Sequence, residues 1–313
     1  MTAATFGVVQ LPDVARPHVR RSLIISAIAA AVVAVAYVVF VRTHWGQEID
    51  DLAFEARAAV TPQATRRTDR LLNSITHESL AVLGAVLVLV AFAQRRVRLA
   101  FVVGGCLAGA ILTTEVLKHV LLTRPIYPDV QGWPHNSYPS GHATIGMMLS
   151  LGVVMVSTSH TRRLATVLAA LVATAFGTAV LASGWHRPSD SIGAYGVALA
   201  WFCLGNAVLV ATDPQRIGAP GGATADDRPP SRWLLVAAAV LAAGFLGFEL
   251  WRSLDADGLH SVAYVPLYIV SCVVIDVLGV AVVYVFAVLT GDRARWRRRL
   301  SDQQAPPIPQ PTR

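Results

Sequence analysis

The stretch Asn136-Ser137-Tyr138-Pro139-Ser140-Gly141-His142 stands between two long apolar segments and reads as a turn feeding directly into a helix. Proline, serine and glycine shape its backbone, and His142 is its one side chain that titrates near neutral pH. Two further polar clusters flank it across apolar segments: Lys118 with Arg124-Pro125 upstream, and His186-Arg187-Pro188-Ser189-Asp190 downstream. Most of the apolar segments that separate these clusters approach the roughly 20 residues a helix needs to cross a bilayer, and that decides the fold class.

Composition points the same way. Of 313 residues, 54% are hydrophobic and 14% charged, with a mean hydropathy of +0.54; soluble domains carry about 25% charged residues. A formal charge of +7 would suit nucleic acid, but the arginines sit in short runs beside apolar segments, as on the cytoplasmic flanks of membrane helices. No nucleic-acid partner is expected. Cys106, Cys203 and Cys272 all fall inside apolar segments, which argues for buried thiols rather than a disulfide or zinc framework. Lysine occurs once among 26 basic residues, as Lys118, which reads either as a position that needs a compact ammonium or as chance retention.

In chain order the apolar segments predict an all-α, polytopic membrane protein of about eight transmembrane helices, at 23–41, 80–93, 99–117, 143–158, 164–182, 192–211, 233–250 and 265–289. The second is the shortest, and residues 75–79 extend it. The first lacks a small-x-small cleavage site before Arg42 and reads as a retained helix. The organisation that follows is a cytoplasmic segment 1–22, a six-helix core 23–212, a cytoplasmic loop 213–232, an additional hairpin 233–290, and a basic, partly disordered tail 291–313.

Between the first two helices, Ile49, Leu52, Ala53 and Ala56 share one helical face, with Asp50, Asp51 and Glu55 off it. This predicts a solvated amphipathic helix along the membrane surface, with an external cap over the polar end as the alternative. The five segments that this topology makes cytoplasmic hold 17 of the 26 basic residues. The positive-inside rule then puts both termini in the cytoplasm and all three polar clusters on the extracytoplasmic face of the cell membrane.

On that face, one helix ends at Lys118, the next begins at Ser140-Gly141-His142, and another begins just after Pro188. Two helix N-termini would direct N–H groups at one pocket, an anion site that Gly141 lets a ligand approach closely. Lys118 and Arg124 add fixed charge. His186 and Asp190 lie four apart, so the carboxylate can fix the imidazole tautomer. An oriented imidazole can attack phosphorus, leaving His142 as general acid. No external acidic cluster presents itself to hold magnesium, and neither a metal nor a cofactor is implied.

Lys118, Arg124-Pro125, Pro139-Ser140-Gly141-His142 and His186-x-x-x-Asp190 resemble the three-part signature of the type-2 phosphatidic acid phosphatase superfamily, over about residues 99–211. That superfamily includes lipid phosphate phosphatases, undecaprenyl diphosphate phosphatases and the soluble vanadium haloperoxidases. The resemblance implies His186 as a nucleophile forming a phosphohistidine, Asp190 as its partner and His142 as the acid. It implies Lys118, Arg124, Ser140 and Gly141 as phosphate ligands.

Two positions depart from the pattern. Five residues, His119 to Thr123, separate the lysine from the Arg-Pro pair where the family has six, and Val180 stands where the family has an arginine. Arg187 is the candidate to replace that arginine; if the missing arginine matters, Val180→Arg should raise the rate.

The expected function is a metal-independent membrane phosphatase acting on a lipid phosphate or polyprenyl (di)phosphate at the extracytoplasmic face. The alternatives are a lipid-to-acceptor phosphotransferase and a non-enzymatic lipid-phosphate binding or transport protein. The expected partners are the lipid substrate and the bilayer, with the oligomeric state open. Glu115 is expected to pair with Lys118 one turn away. Asp276, an acid inside the last helix, is functional by default but has no evident partner in the sequence.

Overall fold

The computed structural model describes residues 15–59, 70, 73, 77–128, 130, 135–158, 160–212 and 265–304. Among these residues the regular structure is helical. Helix α1 (Arg16–Ala36) continues as a π-turn at Tyr37–Val41, and α2 (His44–Glu55) ends in a 3-10 turn at Ala56–Ala59. Then come α3 (His77–Ala93), α4 (Val97–Val116) with a π-turn at Leu117–Leu121, and α5 (Gly141–Val156). The last three are α6 (Arg162–Ala182), α7 (Pro188–Thr212) and α8 (Val265–Gln304).

Five of these segments are long and apolar enough to cross a membrane: Arg16–Val41, Val97–Leu121, Arg162–Ala182, Pro188–Thr212 and Pro266–Gly291. The protein is therefore a multi-pass, all-α membrane protein. Ala81–Ala93 and Gly141–Val156 are apolar but shorter. At 1.5 Å per residue the 16 residues of α5 reach about 24 Å, less than a hydrocarbon core of about 30 Å. The span expected at 233–250 lies outside the described residues. The basic stretch after 291, expected as tail, continues α8 as helix to Gln304.

Helix α7 is the hub, packed against α1, α4, α5 and α8, while α6 packs against α5 and α8. Small residues permit the close approaches that helices in a membrane rely on. A Cβ at Gly196 would lie 2.6 Å from Val33 of α1 and 3.0 Å from the Ala29 carbonyl, so α1 crosses α7 there almost backbone to backbone.

The chain ends of these helices sort into two groups. At one end lie the π-turns of α1 and α4, the starts of α5 and α7, and α2. At the other, Gln94 donates to the Val156 carbonyl at 3.2 Å and Arg98 to that of Thr212. There too Arg162 bonds Thr290 and the Ala287 carbonyl.

Helix α2 forms where its periodicity places it, capped by Thr43 accepting from the Gly46 amide at 3.0 Å. Ala53 and Ala56 are buried and Glu55 is exposed, as expected, but the two aspartates depart from the expectation. Asp50 and Asp51 are 2% and 3% exposed, whereas Ile49 and Leu52 are only partly buried. The physical reason is that the acids have cationic and N–H partners inside, described next. Apolar periodicity registers where carbon can be buried and is silent about matched charge.

Candidate functional site

The site is built on a loop knitted to two helix ends. Tyr37 donates its hydroxyl to the Thr123 carbonyl at 2.8 Å and accepts the Thr123 amide at 3.1 Å, joining the π-turn of α1 to the chain leaving α4. Gln47 of α2 adds bonds to the carbonyls of Val41 and Pro125 at 2.8 and 2.9 Å. The bond to Val41 satisfies a carbonyl that the helix terminus leaves without an intrahelical partner. Together these contacts also fix Arg124, which stands between Thr123 and Pro125.

Asn136 latches the next stretch. Its side-chain amide nitrogen lies 3.1, 3.2 and 3.3 Å from the carbonyls of Lys118, Leu122 and Tyr138, and its oxygen accepts the Tyr138 amide at 3.2 Å. Tyr138 then reaches into the bundle. Its hydroxyl donates to the Val33 carbonyl of α1 at 2.6 Å, and its ring fills the space a side chain at Gly193 would take. Burial, with Asp190 and Asp50 nearby, holds that phenol well above its usual range. One tyrosine thus seats the tetrad between α1 and α7.

Ser140 is fully buried and caps α5. Its hydroxyl accepts the Ala143 amide at 3.3 Å, and its own amide donates to the Asp190 carbonyl at 3.0 Å. Gly141 opens the helix beside Lys118: a Cβ built on Gly141 would lie 3.7 Å from the Lys118 ammonium and equally far from Glu115 Oε1. Glu115 pairs through its other oxygen with His119 at 3.2 Å, rather than with Lys118 as expected. Both partners are more than half exposed, so the pair contributes little stability. His142 stacks edge-on against Trp185, with ring centres 5.0 Å apart.

His186 Nδ1 meets Asp190 Oδ2 at 3.0 Å. The imidazole side chain is 12% exposed and the carboxylate fully buried. Asp190 Oδ2 also accepts the Arg187 amide at 3.1 Å, closing the first turn of α7. A buried carboxylate at this distance suits Nδ1–H as the donor, which leaves the imidazole lone pair on Nε2.

The acids of α2 complete the site. Asp50 accepts the Ser189 amide at 3.0 Å and the Ser189 hydroxyl at 2.6 Å. The N-terminus of α7, expected as an anion site, therefore already receives a protein carboxylate. Burial first, and Asp190 second, push the Asp50 carboxyl up to about 7, against the pull of Ser189 and Arg187. Asp51 bridges two arginines, receiving Arg124 Nη2 at 2.9 Å on one oxygen and Arg187 Nε on the other. Burial, then the neighbouring Arg187, lower the Arg124 pKa, with Asp51 opposing.

Asp50 and Asp51 thus reach this end of the bundle already engaged with Ser189, Arg124 and Arg187. Among the described residues no three His, Cys, Asp or Glu side chains form a metal-ligand cluster. Val180 is fully buried beside Ala143 and Ala194 at the end of α6, where its carbonyl accepts the amides of Trp185 and His186 at 3.0 and 3.1 Å. An arginine at this position would have to displace those apolar neighbours.

The structure thus brings Lys118, Arg124, Ser140, Gly141, His142, His186, Arg187 and Asp190 to one end of the bundle. Asn136, Asp50 and Asp51 were not read as site residues. Among those three, only the adjacency of two acids to a polar turn offered a signal. Asp276 lies apart, inside the bundle, accepting the Thr178 hydroxyl at 2.6 Å on one oxygen, while its second oxygen has no partner among the described residues.

Residues 99–212 match the family model of the PAP2 superfamily, the superfamily that the three clusters resemble. No curated protein and no solved structure matches the chain.

Proposed function

From a chain that carries a PAP2 superfamily segment spanning all three clusters, and hence a phosphatase-type fold, we propose a metal-independent lipid phosphatase working through a phosphohistidine. The observation that carries this reading is the His186–Asp190 pair at 3.0 Å, set at a helix entrance beside the lysine and arginine clusters.

The reaction would run in two halves. His186 Nε2 attacks phosphorus as the bond from phosphorus to the lipid oxygen breaks, and His142 gives its proton to that oxygen. Water then attacks the phosphohistidine, the phosphorus–nitrogen bond breaks, and the water's proton returns to His142. Asp190 holds the imidazole throughout and offsets the positive charge it develops. Lys118 and Arg124 would stabilise the equatorial oxygens of the transition state, with Arg187 at their side.

A site at the helix ends suits an amphiphilic substrate, because the chain can lie between helices while the phosphate meets the polar pocket. The candidates are phosphatidate and polyprenyl phosphates or diphosphates. The arginine distribution favours an extracytoplasmic site in the cell membrane. In the described helices Arg16, Arg20, Arg21, Arg95, Arg96, Arg98, Arg162 and Arg163 all belong to the far end. A six-helix core with an appended hairpin remains the domain division we favour.

Purified protein in detergent should release phosphate from at least one lipid in a panel of these classes, in the presence of a chelator, and orthovanadate should inhibit it. Binding of the lipids without any release would favour the non-enzymatic alternative.

A further inference from the structure

Val180 leaves the third cluster without a cation on α6, and Arg187 does not project into open solvent to replace it. Arg187 is 3% exposed. Its Nε bonds Asp51, its Nη1 donates to Ser137 at 3.2 Å, and its guanidinium carbon lies 5.7 Å from the centre of the Phe54 ring. On the other oxygen of Asp51 stands Arg124. One carboxylate from α2 therefore gathers a guanidinium from the loop after α4 and another from the start of α7.

We propose that Asp51 is a positioning residue of the anion site, holding Arg187 beside Arg124 so that a phosphate meets two guanidiniums although position 180 supplies none. This rests on the phosphatase reading above and deepens it.

The physics favours a clamp over a simple ion pair. Two buried cations side by side repel, and a buried guanidinium without a counter-charge is strongly disfavoured. Asp51 offsets both at once. It takes one N–H from each guanidinium, and each guanidinium has five, so the clamp fixes orientation without exhausting the donors.

The clamp is itself held from both sides. Asp50, the preceding residue, is tied to Ser189. On the other side Arg57 lies 3.7 Å over the Phe54 ring and packs against Gly184, whose φ of +74° a side chain would strain. Helix α2, expected on the membrane surface, thus becomes a wall of the site.

The rival is that the Asp51 carboxylate fills the phosphate position itself and must leave for substrate to bind. The two predict opposite signs. Orthovanadate affinity would be measured by calorimetry on the full-length protein in detergent, beside KM and kcat for lipid phosphate release and the thermal midpoint.

For the clamp, Asp51→Asn weakens vanadate by about tenfold or more and raises KM, and Asp51→Glu restores most of the loss. Arg187→Lys, which keeps a charge but not the Nε donor, shows the same weakening and decides the matter if Asp51→Asn fails to fold. Tighter vanadate binding by Asp51→Asn would establish the rival. Unchanged affinity in Asp51→Asn, or in Arg187→Lys, sinks the clamp alone. A wild-type protein that neither binds vanadate nor releases phosphate removes the phosphatase reading and the clamp together.

Discussion

Asp50 and Ser189 meet through two hydrogen bonds, amide to carboxylate at 3.0 Å and hydroxyl to carboxylate at 2.6 Å. The carboxylate caps a helix that begins far away in sequence, where acids are favoured by the unpaired amides. Burial and the nearby Asp190 work against its charge and raise its pKa from 3.8 to about 7. The folded protein therefore holds a proton on Asp50 that the unfolded chain releases. This contribution to stability is fully present below the unfolded pKa and is lost as pH rises through about 7. Thermal midpoints of wild type should fall over that range, and Asp50→Asn should flatten the fall. Parallel profiles for the two proteins would refute this account.

The two histidines should separate cleanly in kinetics. His186→Ala should reduce phosphate release to background, because no nucleophile remains. His142→Ala should slow it by roughly 10²–10⁴-fold, the range of general acid catalysis. Release unchanged in His186→Ala would dispose of the nucleophile assignment.

Val180→Arg tests whether the site can be returned to the family pattern. Val180 is fully buried against Ala143 and Ala194, so an arginine there forces atoms apart and buries a charge. We expect a lower thermal midpoint and no gain in rate. A faster enzyme of wild-type stability would show that the pocket has room.

Sidedness can be read with single cysteines in a background lacking Cys106, Cys203 and Cys272, all of which are buried. Ile126, 74% exposed at the site end, should react with an impermeant thiol reagent in intact cells when changed to cysteine. His160→Cys, at the far end, should react only after permeabilisation. The opposite pattern would place the site in the cytoplasm.

Much of this molecule was legible in the sequence, for reasons that can be stated. Long apolar runs have few options besides membrane helices, so α1, α4, α6, α7 and the apolar part of α8 follow from length and hydropathy alone. The three clusters were legible because their chemistry is unusual between apolar segments. What stayed hidden was pairing. Asp51 joins Arg124 and Arg187 across more than sixty positions of sequence, and Asp50 joins Ser189 across still more. Such partners leave no periodic trace. Glu115 shows the same limit on a smaller scale, since both Lys118 and His119 lay within helical reach and only the structure picks His119.

The backbone bond from the Ser140 amide to the Asp190 carbonyl, at 3.0 Å, ties the cap of α5 to the first turn of α7. The link is main chain to main chain, so any substitution that keeps the Ser140 N–H leaves it in place. The starts of α5 and α7 are therefore coupled through backbone, and a displacement of one helix end must be accommodated at the other.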